Sequence, residues 1–497
     1  MKKVLIAIVS ILLVLVLLVA VVAGSGIMYI KAQRNVNIPD TAEVEKNPLG
    51  TITAVGKGLY DQDGKRFEIK GINFGNLFVS EGWMTVNSLG AKLNEDGTFE
   101  KVNGDGIVEE YEEVFQEEMD KTLAERFTDE QLEALNNAYF NAYCTEADFK
   151  LIADMGLNTI RVPVFYRNFL NTHDRYRLTD EELCAMNFED IELDFSKGDT
   201  FISYAKKYDL KIILDMHGAM GGQSGYEHCG TPDIDFWYNE EYIKFMCNIW
   251  QEIAKHYATE RSDLASTIVA YDLVNEPVNK NEASTGRTQW DVMDRLYDAI
   301  REVDAYHVIS IEGVWYPNSL PNPDEYGWKN VLYQYHFYNW SYNNNPRVSN
   351  EYFYTLQFAL YAISNYDVPK LVGEFNLFGA KDEWIKILNI YDDLGWNWTI
   401  WSYKTISVGY WDTSWGLVVN RLNLRNNPGT AQEDYNLKLD LRTASYDEIM
   451  SVWGDEYTHY DGQSGPYQLY RGGVLYNVLK GYFGDKCVID TTQVNKD

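Results

Sequence analysis

Cysteine is scarce. Five stand in 497 residues, at positions 144, 184, 229, 247 and 487, an odd number with no CxxC spacing. That excludes a disulfide framework and a zinc site built on paired thiols, and leaves free thiols or at most one or two bridges. Positive charge is also in short supply, with 43 Lys and Arg against 74 Asp and Glu and a formal net charge of −31. A nucleic-acid surface needs a basic face, so nucleic acid is excluded as a partner. The charge favours a soluble, self-repelling body that does not seek anionic partners. An apolar run of membrane length is found at the N-terminus, in MKKVLIAIVSILLVLVLLVAVVAGSG. Lys2 and Lys3 precede roughly 20 residues broken only by Ser10, longer than the apolar core of a cleaved signal and about enough to span a bilayer. The basic flank would stay cytoplasmic. Residues 1–30 are therefore expected to be a signal-anchor or transmembrane segment, with a cleaved signal as the alternative. Both put the body outside the cytoplasm, anchored at the cell surface or secreted, with the membrane touched through this segment only. Residues 31–52 are polar, carry two prolines and read as a linker.

Aromatic residues are abundant at 14%, with 37 Tyr and 14 Trp. They fill a core, or they line a groove of rings with polar tips suited to flat, hydroxylated ligands. From residue 67 onward, short apolar runs alternate with helical stretches. The runs are FEIKGIN (67–73), NTIRVPV (158–164), KIILDMH (211–217), TIVAYDLVNEP (267–277), HVISIEG (307–313), VLYQYHFY (331–338), KLVGEF (370–375) and WNWTIWSY (396–403). Continuous apolar runs suit parallel strands covered on both faces. Between them, TEADFKLIADMG (145–156) carries a capping box at Thr145 and Asp148 and a C-cap at Gly156. Residues 244–258 and 290–303 have amphipathic helical spacing, and 469–483 reads as the last helix. Eight strand–helix units predict an α/β fold, a (β/α)8 barrel over residues 53–490, in which chemistry sits at the C-terminal ends of the strands. The strand ends here are Asn73, Arg161, His217, Asn275 with Glu276, His336 with Tyr338, Glu374 and Trp401. A purely structural barrel has no need of so many polar strand ends.

The longest insertion, 79–145, follows the first strand. Its acidic segment EEYEEVFQEEMDKTLAERF (109–127) reads as a solvated helix face, or as a lid or groove wall. Within it, KVNGDGIVEEYE has Asn103, Asp105, Gly106 and Glu112 at the spacing of a calcium loop, but Lys101 occupies the first ligand position, and no metal is expected.

Glu276 closes the fourth predicted strand and Glu374 the seventh, on opposite sides of one barrel mouth. Two carboxyls facing across an aromatic groove suggest glycoside hydrolysis. One attacks the anomeric carbon; the other stays protonated, its pKa raised by burial or a neighbouring negative charge, and protonates the leaving oxygen. Arg161 is the cation placed to hold Glu374 ionised.

With Arg161 in NTIRVPV, His217 in LDMHG, Asn275-Glu276-Pro277, His336 and Tyr338 in YHFY, Glu374 in VGEF and Trp401 in IWSYK, the sequence resembles glycoside hydrolase family 5 over about residues 55–483. The resemblance implies a retaining double displacement without a cofactor. It makes Glu276 the acid/base and Glu374 the nucleophile. It has Asn275 bind the sugar 2-hydroxyl, Tyr338 hydrogen-bond Glu374, Trp401 form the floor under the reacting sugar, and His217 and His336 line the same subsite. Two stretches resemble exo-β-1,3-glucanases within the family. GINFGNLFVSEGWM (71–84) is similar to their GxNxGxWLxxEPW segment, placing Glu81 where they carry a glutamate that binds the terminal sugar. DMHGAMGGQSGYEHCG (215–230) is similar to their DLHGAPGSQNGFDNSG. Leu77 and Gly82 depart from that pattern. The expected partner is a polysaccharide or oligosaccharide, and a monomer is expected. Endo-β-1,4-glucanase and β-mannanase stand as alternatives, and an anchored carbohydrate-binding protein as the non-enzymatic one.

Overall fold

In the computed structural model the described residues are 38–90, 115–279, 286–314, 317–339, 365–377, 381–405, 415–420, 439–456 and 467–489, with Tyr354 and Gln357 between 340 and 364. The apolar segment 1–30, the calcium-like stretch around Asn103 and the first part of the acidic segment lie outside these residues. No helix among the described residues is long and apolar enough to cross a membrane. All five cysteines are free thiols.

Eight parallel strands close on one another in sequence order. They are β1 (Lys70–Asn73), β2 (Thr159–Phe165), β3 (Lys211–Gly218), β4 (Ile268–Asp272), β5 (Val308–Glu312), β6 (Val331–Tyr338), β7 (Lys370–Asn376) and β8 (Asn397–Ile400). Pairing of β8 with β1 through Trp398–Lys70 and of β5 with β6 through Ile309–Val331 leaves no free edge. Each of the predicted runs supplies one strand. The helices packed outside include α1 (Gln116–Ala124), α2 (Asp129–Tyr143), α3 (Glu146–Asp154), α4 (Ser196–Lys207), α5 (Glu240–Lys255), α6 (Gln289–Arg301), α7 (Lys381–Leu394) and α8 (Val474–Phe483). At the start of α3 the Asp148 carboxylate accepts the Thr145 N–H at 2.8 Å. Beyond its end, Gly156 takes φ +94° against Phe483, a conformation and a closeness that suit only glycine.

The barrel interior is layered, because alternate residues of each strand point inward. Ile213, Ala270, Val308, Leu332 and Leu371 form one apolar cluster with Ile52 and Leu59. Leu59 comes from, and Ile52 immediately precedes, a small antiparallel sheet, Thr53–Val55, Gly58–Tyr60 and Arg66–Phe67, which stoppers the N-terminal mouth. Two residues further along the strands the inward positions turn polar, with Asp215, Asp272 and Gln334, and Glu312 follows on β5. All four are fully buried. The site is this polar layer and the loops above it.

Three expectations need correction. The final helix begins at Val474, and Tyr467–Leu469 ahead of it is a strand paired with Val418–Asn420, as the Gly472-Gly473 pair that follows breaks any longer helix. The acidic segment is not merely a solvated face. Met119 and Leu123 put an apolar stripe on α1, and Gln116, Met119, Asp120 and Leu123 are all buried. Finally, β4 stops at Asp272 rather than running to Glu276.

Candidate active site

Arg161 on β2 organises the polar layer. Its guanidinium has no exposure and meets Asp272 Oδ2 at 3.0 Å, Asn73 Oδ1 at 3.1 Å, Glu374 Oε1 at 2.7 Å, Asn275 Oδ1 at 2.8 Å and Asp215 Oδ1 at 3.1 Å. Register makes this possible, since Asn73 lies beside Arg161 in the β1–β2 ladder and Asp272 beside Asp215 in the β3–β4 ladder. Burial alone would lower the pKa of the guanidinium, but the carboxylates around it push the balance upward and hold it charged.

Glu374 sits inside β7. Its Oε1 takes the Arg161 N–H, and its Oε2 takes the Tyr338 hydroxyl at 2.9 Å. Glu276 lies four residues past the end of β4 at φ +41°, in left-handed backbone that is rare for a residue with a side chain. Its Oε1 is 2.9 Å from His336 Nδ1 and its Oε2 is 3.3 Å from His228 Nε2. His336 Nδ1 is also 3.6 Å from Glu374 Oε2, so one imidazole stands between the two carboxyls. One ligand-type atom from each of Glu276, His336 and Glu374 lies within 4.8 Å of the others, the one such grouping among the described residues. In shape that trio could take a cation, yet Arg161 already brings positive charge to Glu374 and the two carboxyls have imidazole and phenol partners.

Burial raises the pKa of both carboxyls. Glu276 is carried well above the ordinary value, because the charges of Glu374 and Glu81 add to burial and Arg161 only partly opposes them. Glu374 rises less, since Arg161 first and then the Tyr338 hydroxyl favour its ionised form. Two titratable groups pushed apart in this way suit opposite roles, with Glu276 the one whose surroundings favour holding a proton.

His217 and Asp215 are the ends of a buried pair at 2.6 Å. Burial brings His217 down to about 3 and Asp215 up to about 7, with Arg161 opposing the second shift. A neutral pair and an ionised carboxylate are both compatible with 2.6 Å. The guanidinium in contact with Asp215 favours the carboxylate, so neutral His217 donates its Nδ1–H. The free lone pair on Nε2 then faces Asn275 Nδ2 at 3.4 Å and, with Arg161 on the other side, fixes which way the Asn275 amide points. Trp401, one residue past β8, lies parallel to the His217 ring at 5.7 Å and 11°. It clusters with Met84 and Trp415, flanked by Trp83 and Tyr338. Glu81 borders the same cluster, and its Oε2 accepts the Trp83 indole N–H at 2.8 Å. Burial first, then Glu227, hold its carboxyl well above the usual range. The α1 helix braces this corner, as Gln116 accepts the Ser80 N–H at 3.0 Å and the Glu117 N–H reaches the Gly230 carbonyl at 2.9 Å.

The predicted site residues Arg161, His217, Asn275, Glu276, His336, Tyr338 and Glu374 thus form one connected network. Trp401 joins it through ring stacking, and Glu81 stands close enough for its charge to act on Glu276. Residues not picked out by sequence reasoning complete it: Asp215, Asp272, Glu312, Gln334 and His228. Glu312 carried the same signal as its neighbours, a polar end on an apolar strand in HVISIEG. His228 had no such mark, because it sits in a single 3-10 turn, Glu227–Cys229, within the connection after β3.

The family pattern described as cellulase (glycosyl hydrolase family 5) matches residues 119–407, more than half of the sequence. The chain belongs to that family. It is 29% identical over 211 residues to a glucan 1,3-beta-glucosidase 2 of Wickerhamomyces anomalus, covering 42% of each chain. It is 28% identical over 220 residues to a beta-xylosidase of Phanerodontia chrysosporium, covering 44% of this chain and 42% of that one. The chain thus spans about two fifths of the length of these curated relatives. A solved rutinosidase from Aspergillus niger aligns at TM-score 0.46 and 15% identity, over 68% of this chain and 90% of that one. The barrel assignment rests on the strand order itself.

Proposed function

We propose that this chain is a retaining β-glycosidase that hydrolyses β-glucan in the manner of an exo-β-1,3-glucanase. In this reading Glu374 attacks the anomeric carbon while Glu276 gives its proton to the departing glycosidic oxygen. Glu276, now a carboxylate, next takes a proton from water as that water attacks the glycosyl–Glu374 ester, which frees the sugar and restores both groups. The observation that carries the reading is the spacing of the pair: carboxylate oxygens of Glu276 and Glu374 approach within 4.8 Å. Retaining glycosidases hold their two carboxyls about 5–5.5 Å apart, and inverting ones leave roughly 6.5–9.5 Å for a water. The separate tuning of the two carboxyls supports the same assignment. Asn275, clamped between Arg161 and His217, is disposed to hydrogen-bond the sugar 2-hydroxyl, and Trp401 to underlie the reacting ring. Glu81 would bind the terminal sugar, which favours attack from a chain end. The names of the similar glucan 1,3-beta-glucosidases support a β-1,3-glucan as substrate. The catalytic unit in this reading is 53–490 with its 79–145 insertion, held outside the cytoplasm by the apolar segment after Lys2 and Lys3.

The test is a product profile on laminarin, barley glucan and carboxymethyl-cellulose, alongside Glu374→Ala. Stepwise release of glucose from laminarin, abolished by several orders of magnitude in Glu374→Ala with sugar binding retained, is the expected result. A ladder of fragments from carboxymethyl-cellulose would replace the exo-β-1,3 reading with an endo-β-1,4 one. Undiminished turnover in Glu374→Ala would remove the nucleophile.

A further inference from the structure

Glu312 ends β5 with no exposure, and the displacement written above gives it nothing to do. Its Oε2 accepts the backbone N–H of Glu276 at 3.0 Å and the side-chain N–H of Gln334 at 3.2 Å. Its Oε1 has no hydrogen bond and stands 3.4 Å from His336 Nδ1, the same atom that is 2.9 Å from Glu276 Oε1. Glu312 therefore meets Glu276 twice, at the backbone directly and at the carboxyl through one imidazole.

Glu276 needs that support. The β4 ladder ends at Asp272, so regular pairing does not reach it. Its left-handed backbone is strained and persists only where the surroundings over-determine it. Without an acceptor at its N–H, the proton-bearing side chain would be free to swing off line. A carboxyl is a costly way to fill that space. Asp215, Asp272 and Glu374 already crowd one guanidinium, and an apolar side chain of the same size would bury at lower cost. A local rule broken at the centre of a barrel mouth marks a functional position.

We propose that Glu312 is the positioning residue of the proton donor: its carboxyl oxygen, wedged behind the loop, fixes the backbone from which Glu276 reaches the leaving oxygen. This rests on the reading of Glu276 as acid/base. The role is that of an acceptor and needs no charge. Burial first, and then the Asp272 carboxylate, push the Glu312 carboxyl well above the usual range, and a carboxyl oxygen accepts whether or not its partner oxygen carries a proton. An amide oxygen can do the same work.

The experiment compares full-length Glu312→Met, Glu312→Gln and Glu276→Ala on two substrates. Laminaritriose has a sugar leaving group that needs a proton. 2,4-Dinitrophenyl β-glucoside has one that leaves without help. A displaced catalytic group costs about 10²-fold, so Glu312→Met is expected to lose about that much kcat on laminaritriose with little change in KM. On the aryl glycoside its pre-steady-state release of dinitrophenol should fall by no more than a few-fold. Glu312→Gln should recover most of the loss. Equal losses on both substrates, a change confined to KM, or Glu312→Gln as poor as Glu312→Met would overturn the proposal. Should Glu312→Met melt below the assay temperature, the shorter Glu312→Asp, which withdraws the acceptor by one methylene, must show the same split in weaker form. If Glu276→Ala shows the split and the Glu312 variants do not, the positioning role alone fails. If Glu276→Ala itself costs both substrates equally, the acid/base reading fails and takes Glu312 with it.

Discussion

Tyr338→Phe removes one oxygen atom and leaves the ring in its place against Trp415, 6.2 Å between centroids. It isolates one contact, the hydroxyl that donates to Glu374 Oε2 at 2.9 Å. A hydrogen bond to a charged acceptor contributes about 1.5–3 kcal/mol. The ring still fills its space, so no cavity adds to that figure. Glu374 keeps Arg161 on Oε1 at 2.7 Å but loses the partner that fixes its second oxygen. We expect kcat/KM to fall roughly 10- to 100-fold, the rate equivalent of that energy. The pH profile carries the sharper content. The hydroxyl is a donor throughout the working range, because burial and the Glu374 charge hold the phenol well above its usual pKa. A donor favours the ionised carboxylate, so deleting it raises the Glu374 pKa further. Less Glu374 is then ionised at any given acidic pH, and the acidic limb of kcat/KM moves to higher pH. The assay is the full pH profile of wild type and variant on one aryl β-glucoside. An acidic limb that stays put, or moves down, refutes the argument whatever happens to the rate.

Other expectations follow from the same contacts. Glu276→Gln on a dinitrophenyl glycoside should lose the alkaline limb of kcat/KM, since the group whose deprotonation ends activity is gone; a limb that persists assigns it to another residue. Trp401→Ala should weaken sugar binding by about 0.5–1.5 kcal/mol or more, read as a raised KM or Ki for glucose-derived inhibitors; an unchanged KM removes Trp401 from the floor of the subsite. Asp148→Ala tests the scaffold behind the site. Lys404 Nζ lies 2.9 Å from Asp148 Oδ1, both without exposure, and burial already lowers the lysine pKa against the pull of that carboxylate. Removing the carboxylate from this buried pair, which leaves the ammonium its Tyr143 carbonyl at 2.6 Å but no counter-charge from Asp148, should cost about 3–5 kcal/mol, seen as a lower denaturation midpoint at unchanged m-value; a midpoint within error of wild type contradicts this.

The barrel was legible because apolar runs of strand length, each ending on a polar residue, are what a doubly covered parallel strand at an active-site mouth requires. VLYQYHFY corresponds to β6 residue for residue. Asn275-Glu276 read as a strand end because its apolar run continues through Leu273 and Val274, while the chain in fact leaves the ladder at Asp272. Periodicity sees side chains, and the departure is made by backbone. The acidic composition of α1 likewise hid a two-residue apolar stripe. Within the site, residues that point into the cleft stood out, and those that hold them from behind did not. Asp215 and Gln334 lie mid-strand, and Asp272 sits inside an apolar run that reads on through Leu273 and Val274, so sequence alone gives no sign that the inward layer changes from apolar to polar. His228 comes from the connection after β3, whose approach to Glu276 depends on tertiary packing.

In the proposed mechanism Glu374 forms a bond to sugar while Glu276 faces it with the proton. Incubation with 2,4-dinitrophenyl 2-deoxy-2-fluoro-β-glucoside, which slows breakdown of a glycosyl–enzyme ester, followed by peptide mass mapping, tests it directly. One fluoroglucosyl group is expected on the Glu374 carboxyl, in the peptide containing VGEF, and none in Glu374→Ala. Label on a different residue, or turnover that inverts the anomeric centre with no adduct formed, would contradict it.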